Sequence, residues 1–194
     1  VQTCALPISS AGFQDIIWCA ARQRHSRSSE VRWRSLIAVW RITYLPTPQP
    51  PDNKILLELG VGSTHGSGRW HSKGPTQIVY TGASRSLCQL EKRVHSNGFN
   101  VKSQALVRLE LPSGATLLDV NVIGLPADWR QDEAATQSIG MQWLAGKQSL
   151  GLWVPSYVEP SDKNLLLNPT HPDYSSILLS VERNPFEFDP RMFG

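Results

Sequence analysis

A single stretch, Gly66–His95, has the sequence G-S-G-R-W-H-S-K-G-P-T-Q-I-V-Y-T-G-A-S-R-S-L-C-Q-L-E-K-R-V-H. It begins as a Gly-rich loop and continues with a short apolar run, Gln77–Tyr80, that predicts a strand. It ends in Ser84–His95, which has the apolar period of a helix, and Asn97-Gly98 predicts the end of that helix. Its polar residues are too numerous for a packed core alone, so we interpret the loop, strand and helix as a nucleotide site.

One acidic residue of this helix falls on its predicted buried face. With 100° per residue, Leu90 and Val94 lie within about 60° of Leu87 and form an apolar stripe with it. Glu91 lies about 40° from Leu87 on the other side, so it belongs to the same stripe. A carboxylate at a core-facing position costs free energy unless it is paired or used. The opposite face is predicted to carry Gln89, Lys92 and Arg93.

The composition is that of one globular domain. With 194 residues, 40% of them hydrophobic and 18% charged, the chain is long enough to bury one core. No apolar run approaches the length of a membrane crossing. The three cysteines are odd in number and unpatterned, which indicates a reducing compartment and no disulfide framework. We therefore expect a cytoplasmic protein.

The net charge of +3 comes from the first part of the chain. The residues before Ala38 hold five arginines and two acidic residues, and the rest of the chain holds 14 basic and 14 acidic residues. The predicted domain is therefore neutral. This balance argues against direct binding to the phosphate backbone of nucleic acids.

The first 37 residues are predicted to lie outside the domain. The first eight, V-Q-T-C-A-L-P-I, resemble the translation of a sequencing-library adaptor, and residues 9–37 are rich in Arg and Ser without a sustained period. A genuine short extension, a disordered segment and a misjoined reading frame all stay open for this part. We assign residues 38–194 to one domain.

The domain begins with a predicted strand, Leu36–Tyr44, in which Arg41 alternates with apolar residues. A Pro-rich linker follows at Pro46–Pro51. The next segment, Lys54–Gly60, fits a short helix or a strand equally well.

The second half of the domain predicts a hairpin, a helix and further short strands. Pro112-Ser-Gly114 is a turn signal between Ala105–Leu111, which alternates as a half-buried strand does, and Thr116–Val122 as its partner. Apolar residues every four positions predict a helix over Asp132–Leu144. Many short strands with two or three helices indicate an α+β fold with a mixed sheet. The remaining strands are expected at Leu150–Val154, Asn164–Leu167, Ser176–Val181 and around Phe186 and Phe188.

Several motifs in order resemble those of the RES domain, the toxin half of a bacterial toxin–antitoxin pair with an Xre-type antitoxin. The family's Gly-Arg-Trp loop, strand-end Tyr and helix Glu correspond to Arg69, Tyr80 and Glu91. One departure is His71, where the family usually has Asn. The resemblance covers roughly Ala38 to the C-terminus. Its later motifs are L-P-x-D-W at Leu125–Trp129, V-P-S at Val154–Ser156, L-L-N-P-x-H-P-D at Leu166–Asp173 and P-F-x-F-D-P-R at Pro185–Arg191.

The resemblance implies a fold like that of ADP-ribosyltransferases, with two small sheets around a cleft for a nicotinamide dinucleotide. It implies a toxin that degrades NAD by cleaving the nicotinamide–ribose bond, as a glycohydrolase or phosphorylase. An Xre-type antitoxin is the implied partner, in a symmetric oligomer with the toxin. Two alternatives remain: an ADP-ribosyltransferase that modifies a protein, and an inactive binding module of the same fold.

The resemblance also implies roles for named residues. Arg69, Tyr80 and Glu91 are the implied catalytic set, in which Glu91 stabilises a cationic transition state, Arg69 contacts phosphate or ribose, and Tyr80 stacks on nicotinamide. The implied substrate-binding residues are Arg41, Gly68, Trp70 and Ser156. Each has a structural alternative, because a strand Arg can face solvent, a strand-end Tyr is usually core, and a Ser after Pro can shape a turn.

Other chemistries lack their motifs. The chain has no G-x-S-x-G, no P-loop and no G-x-G-x-x-G that opens a helix, so serine hydrolase, NTPase and Rossmann functions are disfavoured. His65, His71, Cys88 and His95 lack the spacing of a tetrahedral zinc site, and we expect no metal. His95 is predicted to pair with Glu91 or to cap the helix.

Overall fold

The structure is a computed structural model and describes residues 36–97 and 99–193. Within these residues the chain forms seven strands and four α-helices, which confirms the predicted α+β class. The strands are β1 (Ala38–Tyr44), β2 (Val79–Gly82), β3 (Gln104–Glu110), β4 (Leu117–Asp119), β5 (Gly151–Pro155), β6 (Lys163–Leu167) and β7 (Leu178–Phe186). The helices are α1 (Asp52–Glu58), α2 (Arg85–His95), α3 (Val120–Ile123) and α4 (Glu133–Gly146).

The described strands form one mixed sheet in the order β4-β5-β6-β2-β1-β3-β7. The pairs are antiparallel except β4 with β5, which is parallel. The expected two small sheets are therefore joined, but the junction is narrow. β1 pairs with β3 along its whole length, whereas its pairing with β2 consists of Trp40 opposite Gly82. Beyond that pair the two strands separate.

Three hydrophobic clusters hold the sheet and helices together. The largest packs α1 and the turn Pro172–Ser176 onto strands β1, β3 and β6. A second lies under α4 and contains the buried rings of Trp70 and Trp143. A third joins Cys88 of α2 to Ile42 of β1 and to the end of β7. Hydrophobic clusters therefore pack against the sheet on both sides of the gap between β1 and β2.

Sequence signals explain how the two long helices begin. Ser84 Oγ accepts a hydrogen bond from Leu87 N at 3.1 Å at the start of α2, and Asp132 caps α4 by accepting from Ala135 N at 2.8 Å. After α2 the chain turns at Asn97, whose φ of 49° lies in the left-handed region, and Gly98 lies outside the described residues. The prediction of both helices is confirmed.

The predicted hairpin after β3 is wrong. Thr116–Val122 does not pair with Ala105–Leu111; Leu117–Asp119 forms β4 at the far edge of the sheet, parallel to β5, and Val120–Ile123 forms α3. Leu117 and Leu118 alternate between two hydrophobic clusters there, so the segment buries apolar area that a hairpin would expose. The strand β3 is buried on both faces rather than half-buried.

The last predicted strand is also corrected. Phe186 is the final residue of β7, and Phe188 lies beyond it, packed edge-on against Phe186 with 5.1 Å between ring centroids. The undecided segment 54–60 is mostly helical, as part of α1. The interpretation of residues 1–37 falls almost wholly on residues 1–35, which lie outside the described residues, and it stays a prediction.

Helix α2 is rotated relative to its predicted orientation. Leu87 and Cys88 are buried, whereas Leu90 is 42% exposed and Val94 is 54% exposed. The buried direction therefore lies between Leu87 and Cys88 on the helical wheel, and Glu91 stands near its centre. Packing of Cys88 against the sheet decides this orientation, and the wheel of apolar residues did not reveal it.

Candidate active site

A cleft of about 610 Å³ opens where β1 and β2 separate. This volume is typical of small-molecule sites. The cleft is bounded by the two strands, by α2, by the loop before β2 and by the segment after β5. Six of the seven residues that we predicted for the site line it: Arg41, Gly68, Arg69, Trp70, Tyr80 and Glu91.

Glu91 enters the cleft from the middle of α2, and its side chain is 19% exposed. Its Oε1 atom accepts hydrogen bonds from Ser156 Oγ at 2.8 Å and from Asn164 Nδ2 at 2.5 Å. Its Oε2 atom accepts none within the described part of the chain; His95 Nε2, one turn further along α2, approaches it to 3.8 Å. One carboxylate oxygen is thus fixed by the protein and the other is available to a ligand.

The hydroxyl group of Ser156 is used in hydrogen bonds within the protein. It is fully buried directly after β5, and its oxygen accepts hydrogen bonds from Val158 N at 3.1 Å and Glu159 N at 3.0 Å. Its one hydroxyl hydrogen goes to Glu91. This geometry favours a role of Ser156 in holding Glu91, and the expected contact between Ser156 and substrate stays a prediction.

Asn164 is a site residue that the sequence analysis missed. It lies at the start of β6 opposite Gly82 of β2, which brings its amide to Glu91. Its Oδ1 atom is buried and has no partner among the described residues. The one signal in the sequence was a polar side chain ahead of the apolar run Leu165–Leu167.

Arg69 fastens the Gly-rich loop to the segment before α4. Its Nη1 atom donates to the carbonyl oxygens of Trp129 at 3.3 Å and Arg130 at 3.1 Å. Its Nη2 atom lies 3.8 Å from Glu133 Oε2, and its guanidinium stacks on the ring of Tyr157 at 4.6 Å. Arg69 therefore joins two of the motifs noted in the sequence, and its charge is already shared with a carboxylate.

Hydrogen bonds of the His71 and Tyr80 side chains also fix the Gly-rich loop. His71 is buried, and its Nε2 atom lies 3.0 Å from the carbonyl oxygens of Ser63 and Gly66. Because carbonyls only accept, Nε2 carries the hydrogen. In the neutral imidazole Nδ1 then accepts from Tyr80 Oη, at 2.8 Å. The departure from the family's usual Asn is thus accommodated by a network of hydrogen bonds.

The Tyr80 hydroxyl is fully engaged in this network. It also accepts from the backbone N–H of Trp70 at 3.2 Å, and burial raises the pKa of Tyr80. A Cβ at Gly68 would lie 3.0 Å from Tyr80 Oη and 2.8 Å from His71 Cε1, so the loop can approach this closely only with glycine there. A ring face is what Tyr80 can still offer to a ligand.

Trp70 packs into the core. Its side chain is 3% exposed and stacks on Trp129 with 6.1 Å between ring centroids. The ring therefore supports the loop, and the assignment of Trp70 to substrate binding stays a prediction.

Arg41 reaches from β1 across the gap to β2. Its Nη1 atom donates to the carbonyl oxygen of Tyr80 at 2.7 Å, where a regular sheet would have a backbone N–H. Its Nε atom is buried without a partner, and within residues 36–97 and 99–193 no carboxylate oxygen lies within 4 Å of its guanidinium. Burial lowers its pKa. Arg41 does not face open solvent.

These parts can stabilise a cation and bind hydroxyl and anionic groups of one ligand. A fixed carboxylate with one free oxygen favours a developing positive charge, and an unpaired guanidinium favours an anion. Among the described residues, no cluster of three or more His, Cys, Asp or Glu could hold a metal ion. In that same part of the chain, no helix is both long and apolar enough to traverse a bilayer.

Comparison with known proteins gives one consistent family. The model described as RES domain matches residues 38–189. The chain is 39% identical over 136 residues to Toxin Res of Yersinia enterocolitica, which covers 69% of this chain and 88% of the relative. It is 37% identical over 139 residues to the Prs ADP-ribosylating toxin of a Sphingobium species, covering 69% and 84%.

A chain with the same fold occurs in the solved structure of the M.tuberculosis MbcT-MbcA toxin-antitoxin complex. The TM-score is 0.56 at 16% identity, over 81% of this chain and 87% of that one. The likeness supports the fold alone. With the family match and the sequence relatives, the chain belongs to the RES domain family.

Proposed function

We propose that this protein is a toxin that consumes NAD by breaking the bond between nicotinamide and ribose. The observation that carries the proposal is the state of Glu91, with one oxygen fixed by Ser156 and Asn164 and the other directed to a ligand-sized cleft. The relative named ADP-ribosylating toxin, at 37% identity, supports the same chemistry.

A single carboxylate suffices for this reaction. Nicotinamide is cationic while it is attached to ribose and leaves as a neutral base, because it takes the electron pair of the C1′–N bond. No general acid is needed, unlike in most glycosidases. The ribose becomes cationic in the transition state, and the Glu91 carboxylate stabilises that charge and accepts from a ribose hydroxyl.

The acceptor of the ADP-ribose group completes the reaction. Water adds a hydroxyl to C1′ and releases a proton, which makes a glycohydrolase; phosphate in the same place makes a phosphorylase. Tyr80 has a ring face available for nicotinamide. The Gly-rich loop lines the same cleft with Gly66, where a Cβ would meet no other atom within 4 Å, so ligand phosphates can approach its backbone closely.

A second candidate is transfer of ADP-ribose to a protein. The name of the Sphingobium relative favours it. The two candidates share the first bond cleavage and differ in the acceptor. Mass spectrometry of products formed with phosphate, without phosphate and with cell extract separates them.

We further propose an Xre-type antitoxin as partner, acting in the cytoplasm where NAD is available. Support comes from the relatives named Toxin Res and from the solved complex, in which a chain of this fold is assembled with an antitoxin. Expression of this chain alone should arrest bacterial growth. Co-expression of an adjacently encoded helix-turn-helix protein should restore it and co-purify as an oligomer.

The decisive experiment measures nicotinamide release from NAD by the purified chain and its Glu91→Gln variant. An amide at this position keeps an oxygen for Ser156 and Asn164 but removes the charge, so the rate should fall at least roughly a hundredfold. Glu58→Gln, an exposed site on α1, is the matched control and should retain the wild-type rate. Equal rates for Glu91→Gln and wild type contradict the role of Glu91, and a folded but inactive wild type favours the binding module.

A further inference from the structure

Lys92 lies in the cleft, contrary to its predicted place on the solvent side of α2. It follows Cys88 by one helical turn, and Cys88 is buried against Ile42 of β1. Lys92 is accordingly half-buried at the edge where α2 meets β1, the strand that carries Arg41.

Neither of these two cations has an acidic partner. In the described ranges, no carboxylate oxygen lies within 4 Å of Lys92 Nζ or of the Arg41 guanidinium. The third cation of the cleft, Arg69, has Glu133. The nearby carboxylate of Glu91 is bonded to Ser156 and Asn164 instead.

Burying these two cations without an acidic partner costs free energy in the ligand-free protein. The pKa of Lys92 is lowered by burial and, next, by the positive charge of Arg41. Burial likewise lowers the pKa of Arg41, whose Nε atom has no partner in the described structure. Two half-buried like charges that line one cleft and lack a counter-ion are stabilised when an anion binds in that cleft.

We propose that Lys92 joins Arg41, the substrate-binding residue that the resemblance implies, in an anion subsite of the cleft that binds the pyrophosphate of a dinucleotide. The assignment to a dinucleotide rests on the proposed function. Arg41 offers a planar fork of donors suited to phosphate oxygens, and Lys92 supplies a mobile point charge in the same cleft. Two positive charges match the two charges of a pyrophosphate diester, and the adjoining Glu91 takes the ribose end of the same ligand.

Calorimetric titration with ADP-ribose, and separately with inorganic pyrophosphate, tests the subsite without catalysis. Lys92→Gln should weaken ADP-ribose binding roughly tenfold, as expected for loss of one charge-assisted contact. Lys92→Arg should bind nearly as the wild type. Lys102→Gln, an exposed lysine before β3, is the matched control and should change the affinity less than twofold.

Turnover of two substrates measures the contribution of Lys92 to phosphate binding independently of calorimetry. For NAD, Lys92→Gln should raise KM about as much as it weakens ADP-ribose binding and leave kcat within about twofold. For nicotinamide riboside, which has no phosphate, the same variant should turn over like the wild type. Lys92→Gln removes an unpaired, half-buried charge, so the variant should unfold at the same temperature as the wild type or higher. That result excludes misfolding as the cause of weaker ADP-ribose binding or a raised KM.

The outcomes separate the subsite from the proposed function. Unchanged ADP-ribose affinity in Lys92→Gln, or an equal loss in Lys102→Gln, overturns the subsite even if NAD is cleaved. Loss of pyrophosphate binding in Lys92→Gln alone supports the subsite even if the wild type does not cleave NAD, in which case only the proposed function fails.

Discussion

Ser156 donates its hydroxyl hydrogen to Glu91 Oε1 over 2.8 Å, and this bond ties the end of β5 to the middle of α2. The backbone N–H groups of Val158 and Glu159 fix the serine oxygen in turn. The orientation of the carboxylate therefore depends on a loop that is 65 residues away in the chain.

Ser156→Ala should lower kcat for NAD cleavage roughly tenfold, the equivalent of one hydrogen bond, and leave KM within about twofold. Loss of the hydroxyl frees Glu91 to leave its productive orientation but removes no ligand contact. Steady-state kinetics of nicotinamide release measure both constants. Ser161→Ala, exposed in the same loop, is the control. A KM effect with normal kcat would instead place Ser156 in substrate binding.

His71→Phe should destabilise the protein by about 1–3 kcal/mol, because the buried Tyr80 hydroxyl and the carbonyls of Ser63 and Gly66 lose their partner. His71→Asn, the residue usual in the family, should cost less because its amide can still donate and accept. Urea unfolding followed by fluorescence compares the two. Equal stability of the Phe variant and wild type would show that the network contributes little.

Gly140→Ala should impair folding, because a Cβ at this position in α4 would overlap the backbone carbonyl of Trp70. Gly146→Ala in the same helix is the matched control. A Cβ there meets only the Gln148 side chain at an ordinary 3.8 Å, and alanine favours helix over glycine by up to about 1 kcal/mol. In thermal unfolding, the midpoint temperature of Gly140→Ala should be lower than that of the wild type, and the midpoint of Gly146→Ala should be higher. Two similar curves would contradict the close packing of loop and helix.

A chain that starts at Leu36 should fold and cleave NAD like the full chain. It keeps β1 and the whole region of the family match, and it loses the five arginines responsible for the net charge. Salt-sensitive adhesion to nucleic acid should fall as well. Circular dichroism, nicotinamide release and retention on immobilised DNA test these points. A folded but inactive short chain would make the removed segment part of the site.

The elements of this fold were largely predictable because their signals are local. The period of Ser84–His95 and the capping residues Ser84 and Asp132 place the two long helices without knowledge of the rest. The resemblance supplied the candidate residues Arg69, Tyr80 and Glu91, and the fold brings all three to one cleft.

What could not be predicted depends on contacts between distant segments. The rotation of α2 follows from Cys88 packing on Ile42, so Lys92 lies in the cleft although it falls opposite the apolar stripe of the wheel. The segment around Leu117 follows a turn signal, yet it pairs with β5 because the hydrophobic space is there. Asn164 has no local mark of its function, because only the register of β6 against β2 brings it to Glu91.

The single residue pair between β1 and β2 has a consequence for how this architecture can change. The space for a ligand exists because two adjacent strands leave their hydrogen-bonding ladder incomplete, and Arg41 replaces one of the missing rungs with a side chain. A substitution that allowed more rungs to form would make the sheet more regular and would eliminate the binding site. Stability of the sheet and space for a ligand thus depend on the same backbone groups in opposite ways. Selection for greater thermal stability where β1 meets β2 would act directly against the cleft.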